Sequence, residues 1–452
     1  MTVVSSGPTA HVVTRPTGRP GIGDRPMTSF HLVLAAGGAL LLIGLIMVFS
    51  ATSVDSLQEN GSVYASFSTQ MVFAALGLVA FWIALRMRPT LLRRMAVPGM
   101  LIAVLLLVLV LIPGIGKEYN EARRWFEIGP LSLQPSELAK LAFVVWGADL
   151  LVRKRKLIDR WRHLLVPLVP AGALLAGLVL LQPNLGTALV FVLILFSLLW
   201  SVGAPARLFV AMGSALMVLV ALMIAAEPYR AARLTGFLDP FADPDGATLQ
   251  AANGLYALAT GGWWGVGLGN SRMKWGLLPE QDSDYIFAII GEELGFAGCL
   301  LVLSLYGLLG YAGIRIARRT NDGFIRLAAA AITVWLIGQA LINVGYVVGL
   351  LPITGLPLPL ISSGGTSLVL TMFTVGVLAG FARHEPAAVS YLKRRRRTRW
   401  ARVMVPVPRS ASSDFKRPAV LRRTAGATRP GQRAVPQVRG GAVRQPRGTG
   451  RT

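Results

Sequence analysis

Leu32–Ser50 reads LVLAAGGALLLIGLIMVFS, nineteen residues without a charge. At about 1.5 Å per residue, a helix of that length crosses the roughly 30 Å hydrocarbon core of a bilayer. Similar runs recur at Met71–Leu85, Val97–Ile112, Leu138–Val152, Leu164–Leu181, Thr187–Trp200, Leu208–Ala225, Tyr285–Gly307, Leu327–Leu350 and Leu368–Phe381. The pattern predicts an all-α polytopic membrane protein with about ten transmembrane helices. The runs are too long and too continuous for barrel strands of roughly 10 residues. Composition agrees: 54% of the 452 residues are hydrophobic and 15% charged, where a soluble domain carries roughly a quarter. Mean hydropathy is +0.58.

Lys and Arg set the expected orientation. One set of loops holds Arg86, Arg88, Arg93 and Arg94, then Arg153–Arg162, then Arg315, Arg318, Arg319 and Arg326. The alternate loops Val54–Ser68 and Pro352–Ser367 hold none. The positive-inside rule therefore predicts two cytoplasmic termini. Residues 1–28 read as a disordered tail without a signal peptide, 29–385 as the membrane domain, and 386–452 as a basic disordered tail. The net charge of +24 is concentrated in that last tail and in loops of one side. It fits cytoplasmic retention and attraction to anionic lipid, not nucleic acid, because no aromatic residues are interleaved after Phe415. The single cysteine, Cys299, excludes an internal disulfide and a CxxC metal or redox site.

The long loop 227–284 is predicted to face outward and to be functional. It ends in Leu278-Pro279-Glu280-Gln281-Asp282-Ser283-Asp284-Tyr285-Ile286-Phe287, carboxylates running into an apolar span. Asp284 reads as a helix cap or as a reactive anion at a helix N-terminus. Glu292 and Glu293 lie within the following span; such a pair either works there or pairs with a cation of a neighbouring span. Arg123-Arg124-Trp125 is an interfacial anchor or a site for a lipid diphosphate. Glu137 and Lys140, three apart after Pro135, share a helix face and can pair. Gly349–Ser367 holds Pro352, Pro357 and Pro359 among repeated glycines, which forbids a continuous helix; the stretch should fold back into the protein. Neither Ser362-Ser363-Gly364-Gly365 nor Gly265-Val266-Gly267-Leu268-Gly269 has the context of a nucleotide loop.

Taken together these blocks resemble the shape, elongation, division and sporulation (SEDS) family of peptidoglycan glycosyltransferases, from about Leu32 to Arg383. The blocks are Asn343 with Gly349, Pro352, Gly355 and Ser362-x-Gly364-Gly365-Thr366-Ser367; Leu278-Pro279-Glu280 with Asp284–Ala288 and Gly291–Gly295; and Arg124-Trp125 with Gln134–Lys140. Ile46–Ser53, Pro113–Gly116 and the basic tail resemble the division branch more than the elongation branch. The chain departs from the family pattern at Asp282 (usually His), Ser283 (Thr), Tyr285 (Phe), Asn184 (Asp) and Ser363 (Tyr).

The resemblance implies a reaction that polymerises lipid II into glycan strands with inversion, releasing undecaprenyl diphosphate at the outer face of the cell membrane during septal wall synthesis. An elongation polymerase or a lipid II flippase is the alternative; no internal repeat supports the flippase. The matched catalytic residue is Asp284, placed to act as base on a sugar hydroxyl. Arg123, Arg124 and Lys274 would offset diphosphate charge, with Trp125, Glu137, Lys140, Glu280, Ser362, Gly364 and Gly365 as further substrate-binding positions. No protein metal ligand is assigned, although Mg or Mn could accompany the diphosphate. A class B penicillin-binding transpeptidase and other divisome proteins are the implied partners.

Overall fold

The computed structural model describes residues 25–119, 122–128, 131–154, 161–226, 237, 239–241 and 248–394. Most of the predicted N-terminal tail, Arg230, Arg233, Asp243 and Asp245 of the long loop, and the chain from residue 395 onward lie outside the described residues.

The greater part of each apolar run lies in a helix. The helices are α1 (Thr28–Asn60), α2 (Ala65–Arg86), the short α3 (Pro89–Arg94), α4 (Ala96–Leu109), α5 (Pro135–Arg153), α6 (Trp161–Leu180), α7 (Leu185–Ser201) and α8 (Ala206–Ala226), followed by α9 (Leu249–Gly261), α10 (Ile286–Arg319), α11 (Gly323–Val347), α12 (Thr366–Ala382) and α13 (Pro386–Arg394). Among the described residues four helices, α1, α2, α10 and α11, are long and apolar enough to cross a membrane alone, and a fifth is reached if α12 and α13, bent by 75°, count as one span. This is a multi-pass membrane fold.

Two expectations are corrected. The chain is not wholly α-helical: β1 (Lys117–Tyr119), β2 (Ala122–Ile128) and β3 (Leu131–Leu133) form an antiparallel sheet in the order β1-β2-β3. Its signal was present, since Ala122 and Phe126 are buried on one face of β2 while Arg123, Trp125 and Glu127 lie on the other. The tail predicted to be disordered from Pro386 is also ordered over its first residues. Pro386–Arg394 is a helix, because Pro386 suits a first turn and Ala388 and Leu392, four apart, bury one face against the core.

Small residues let the spans approach closely, as membrane interfaces require. A Cβ on Gly376 of α12 would lie 2.5 Å from the Phe81 carbonyl of α2. The segment between α11 and α12 folds back to the middle of the bundle. A Cβ on Gly44, halfway along α1, would lie 2.6 Å from the Ile361 Cα. Irregular backbone at that depth needs internal hydrogen-bond partners. The Tyr306 hydroxyl of α10 donates to the Pro359 carbonyl, and Gln339 Nε2 of α11 donates to the Pro357 carbonyl at 2.8 Å.

Candidate active site

Asp284 is half-buried and lies two residues before α10, whose N-cap is Tyr285. The helix-cap reading therefore does not describe it. Its backbone carbonyl is held by two side chains of α11, Asn343 Nδ2 and the Tyr346 hydroxyl, each at 2.8 Å. The same two groups reach the Leu356 carbonyl at 2.7 and 2.9 Å. Asn343 Nδ2 also lies 2.7 Å from the Tyr346 hydroxyl, so the two side chains form one cluster that ties the Asp284 segment to the folded-back loop. Gly355, at φ +66°, passes against the carboxylate; a Cβ there would lie 3.3 Å from Asp284 Oδ2. That is a backbone conformation L side chains rarely adopt.

The neighbouring residues complete this clasp. Ser362 Oγ donates to the Ser283 carbonyl and accepts from the Leu358 amide at 2.7 Å. Ser363 donates its amide to the Asp282 carbonyl at 2.9 Å and its hydroxyl to Asp282 Oδ2. Asp282 and Ser363, two of the departures from the family pattern, therefore pair with one another. Glu280, exposed and at φ 54°, accepts from the Ser283 hydroxyl at 2.8 Å. Gln281 Nε2 reaches Asp55 Oδ2 of α1 at 2.8 Å. Gly364 and Gly365 precede α12, where the Thr366 hydroxyl donates to the Ser132 carbonyl of β3.

The other expected site residues serve as braces in this structure. Glu137 and Lys140 are both buried and pair at 2.8 Å, as their spacing predicts. Lys140 Nζ also reaches Gln339 Oε1 at 3.0 Å and sits 5.0 Å from the centre of the Trp335 ring. Because Gln339 in turn holds Pro357, the ion pair supports the loop beside Asp284. Arg124 of β2 spans to the α6–α7 turn, donating to the Gln182 and Pro183 carbonyls at 2.9 and 2.6 Å. Just after that turn, at the start of α7, a Cβ on Gly186 would meet the Thr354 carbonyl, so β2, the turn and the loop form one contiguous patch. Arg123 pairs with Glu118 at 2.9 Å within the sheet, and Trp125 beside them is half-buried.

Lys274 is buried 3.8 Å from Glu293 and donates to the Gly269 carbonyl. Glu293 also accepts from Ser50 Oγ at 2.7 and 2.8 Å. Glu292 accepts from the Ser271 hydroxyl and, at 2.9 Å, from the Arg272 amide. Of the two readings left open for this pair, neither is met as stated: Glu293 meets Ser50 of the neighbouring α1, but the cation, Lys274, comes from the approach segment and not from a span. Among the described residues no three His, Cys, Asp or Glu gather as a metal-ligand set.

Sequence reasoning overlooked Tyr346, Gln339 and Asp55. The first two are polar groups inside an apolar span, a signal worth following in itself. Asp55 has no motif to mark it.

The comparisons with known proteins follow the same blocks. A family model described as cell cycle protein, covering FtsW, RodA and SpoVE, matches residues 30–387. The probable peptidoglycan glycosyltransferase FtsW of Mycobacterium tuberculosis is 45% identical over 385 residues, 85% of this chain and 74% of that one. Stage V sporulation protein E of Bacillus subtilis is 40% identical over 347 residues, 76% of this chain and 94% of that one. A solved structure described as the structural coordination of polymerization and crosslinking by a peptidoglycan synthase complex aligns with TM-score 0.65 and 29% identity, over 78% of this chain and 97% of that one. The rod shape determining protein RodA of Thermus thermophilus aligns with TM-score 0.58 and 28% identity, over 78% of this chain and 96% of that one. With a family match over most of its length and relatives this similar, the chain belongs to the FtsW, RodA and SpoVE family of membrane proteins.

Proposed function

We propose that this protein is a peptidoglycan glycosyltransferase of the division branch, polymerising lipid II at the outer face of the cytoplasmic membrane with about ten spans and both termini inside. The observation that carries the reading is Asp284: a half-buried carboxylate clasped by its own backbone carbonyl, against a loop whose glycine leaves the carboxylate room. The higher identity to the FtsW relative than to the sporulation relative or the RodA structure supports the division branch.

In the reaction, the 4-hydroxyl of a GlcNAc attacks the anomeric carbon of a MurNAc on a second lipid. Asp284 takes the hydroxyl proton as the new glycosidic bond forms, and the undecaprenyl diphosphate–carbon bond breaks with inversion. A carboxylate whose backbone is fixed on both sides is pre-placed for this transfer. The diphosphate needs compensating charge. Arg124 lies on the patch contiguous with the loop, and exposed Arg272 on the approach is a second candidate. Glu137 and Lys140 act from below by holding that loop through Gln339, and Lys274 holds the approach segment through Glu293 and Gly269. The described residues offer no cage for a resident metal; a divalent cation would arrive with the diphosphate, and no step is assigned to it.

A class B penicillin-binding transpeptidase is the expected partner at the septum, along with other divisome proteins; the synthase-complex structure supports this pairing. The test is lipid II polymerisation by purified wild type and Asp284→Ala, each with and without that transpeptidase. The variant should remain folded and make no glycan strands in either condition. Long strands from Asp284→Ala would overturn the assignment.

A further inference from the structure

The approach to the site carries an apolar surface that water does not explain. Trp263 and Trp264 are 72% and 84% exposed, with Leu268 exposed on the same turn. From Leu249 to Pro279 the only charged residues are Arg272 and Lys274, and Lys274 is turned inward to Glu293. A solvated loop of that length would carry many more charges.

The height of this turn is fixed by hydrogen bonds to α10. Val266 and Gly267 donate to the Glu292 and Glu293 carbonyls at 2.9 and 3.0 Å, while Phe296 and Ala297 donate to the Gly262 and Trp263 carbonyls at 2.9 and 3.2 Å. They bracket a break in α10 at Gly295, whose φ of 65° and ψ of −166° are non-helical. Gly265 meets Gly295 so closely that neither has room for a Cβ. Below the break, Phe296–Arg319 extends about 36 Å at about 1.5 Å per residue, enough for a hydrocarbon core of roughly 30 Å. With the basic end Arg315–Arg319 at one boundary of the core, the break falls at the other. Asn343, twenty residues beyond Gly323, is placed about 30 Å along α11 by the same arithmetic, so Asp284 lies near the same plane. The Trp263 ring packs edge-to-face on Phe296 with centroids 5.2 Å apart. Phe296, Leu300 and Leu301 continue the exposed apolar strip down the shaft.

We propose that Trp263 and Trp264 insert into the interfacial layer of the leaflet on the Asp284 side, so that this turn is a lipid-contacting platform. The occupant is lipid because the patch is continuous with the exposed apolar face of a helix long enough to span the membrane, and because tryptophan favours that depth. The inference rests on the membrane-spanning reading and not on catalysis by Asp284. Its consequence for the proposed reaction is geometric: the site is held at the height of lipid headgroups.

The test uses the full chain, with Cys299→Ser as background, in nanodiscs of phosphatidylethanolamine and phosphatidylglycerol without a partner. An environment-sensitive fluorophore is placed at Trp264→Cys, with Leu301→Cys as the lipid reference and Glu118→Cys as the water reference. The expected result is quenching of the 264 probe by lipid-borne nitroxides comparable to that at 301, with iodide quenching several-fold weaker than at 118. Iodide quenching equal to that at 118, with no nitroxide effect, would overturn the proposal. So would iodide access that disappears only on adding the transpeptidase, which would make the patch a protein interface. Because no reading depends on turnover, failure of the Asp284 assignment would be seen separately.

Discussion

At the scale of single residues, the site is a backbone clasp more than a collection of charges. Asn343 and Tyr346 are three apart on α11 and both face the carbonyls of Asp284 and Leu356. Asn343→Ala removes the amide donors and leaves buried carbonyls to the single Tyr346 hydroxyl. A buried acceptor left unsatisfied costs about 1–3 kcal/mol, which thermal unfolding in detergent should register. The effect on polymerisation should be larger, about 100-fold, because a carboxylate displaced by about 1 Å loses that much. Tyr346→Phe leaves two amide protons for two carbonyls and should be the milder change in both measurements. Equal effects of the two substitutions on activity would mean that the clasp does not position Asp284.

The sequence made some of these residues legible and others not, for a physical reason. Asp284 and the Glu137–Lys140 pair are read from local spacing, since a carboxylate before a span and an i,i+3 ion pair need no tertiary knowledge. Arg124 ends on the carbonyls of Gln182 and Pro183, and Lys274 ends near Glu293. Backbone carbonyls have no side-chain signature, so a cation docked on them looks from sequence like one waiting for a ligand.

Among elements, the informative unit is the loop between α11 and α12, which is irregular and yet central. Its polar backbone is satisfied by Tyr306, Gln339, Asn343 and Tyr346. Gln339 is held by Lys140, whose charge is matched by Glu137 of its own helix. Lys140→Met breaks the brace and strands a buried carboxylate, which typically costs about 3–5 kcal/mol. The double substitution Glu137→Gln with Lys140→Met removes the stranded charge and should recover much of that stability. It should not recover activity, because Gln339 still lacks its ammonium partner. A double-mutant cycle on unfolding, run beside lipid II polymerisation, separates the two effects. Full recovery of activity in the double variant would make the pair a folding device only. The prolines and glycines made the loop's re-entry legible in the sequence, whereas the β1–β3 sheet was masked by an Arg-Arg-Trp cluster that reads equally well as an interface anchor.

Across the whole molecule, basic residues gather at one end of the bundle. Arg93, at the end of α3, pairs with Asp149 of α5 at 2.8 Å, and Asp149 also binds Arg153 at 2.6 Å. Arg93 lies 5.9 Å from the Phe324 ring at the start of α11, and Arg383 after α12 donates to the Leu85 carbonyl at the end of α2. Arg315 and Arg319, near the end of α10, act on Glu385 after α12. Asp284, the clasp and the sheet lie toward the opposite ends of the same helices. Lys and Arg are retained on the cytoplasmic side during insertion, so this segregation supports the proposed orientation, with Asp284 outside. The orientation can be read with fusions. Alkaline phosphatase joined after Glu118, on the exposed sheet, should be active, and a fluorescent protein joined after Thr452 should fluoresce. The reverse pattern, with no phosphatase activity at Glu118 and a dark fluorescent protein at Thr452, would turn the molecule over in the bilayer. Asp284 would then face the cytoplasm, and a role in building glycan strands outside the cell would be untenable whatever its effect in a detergent assay.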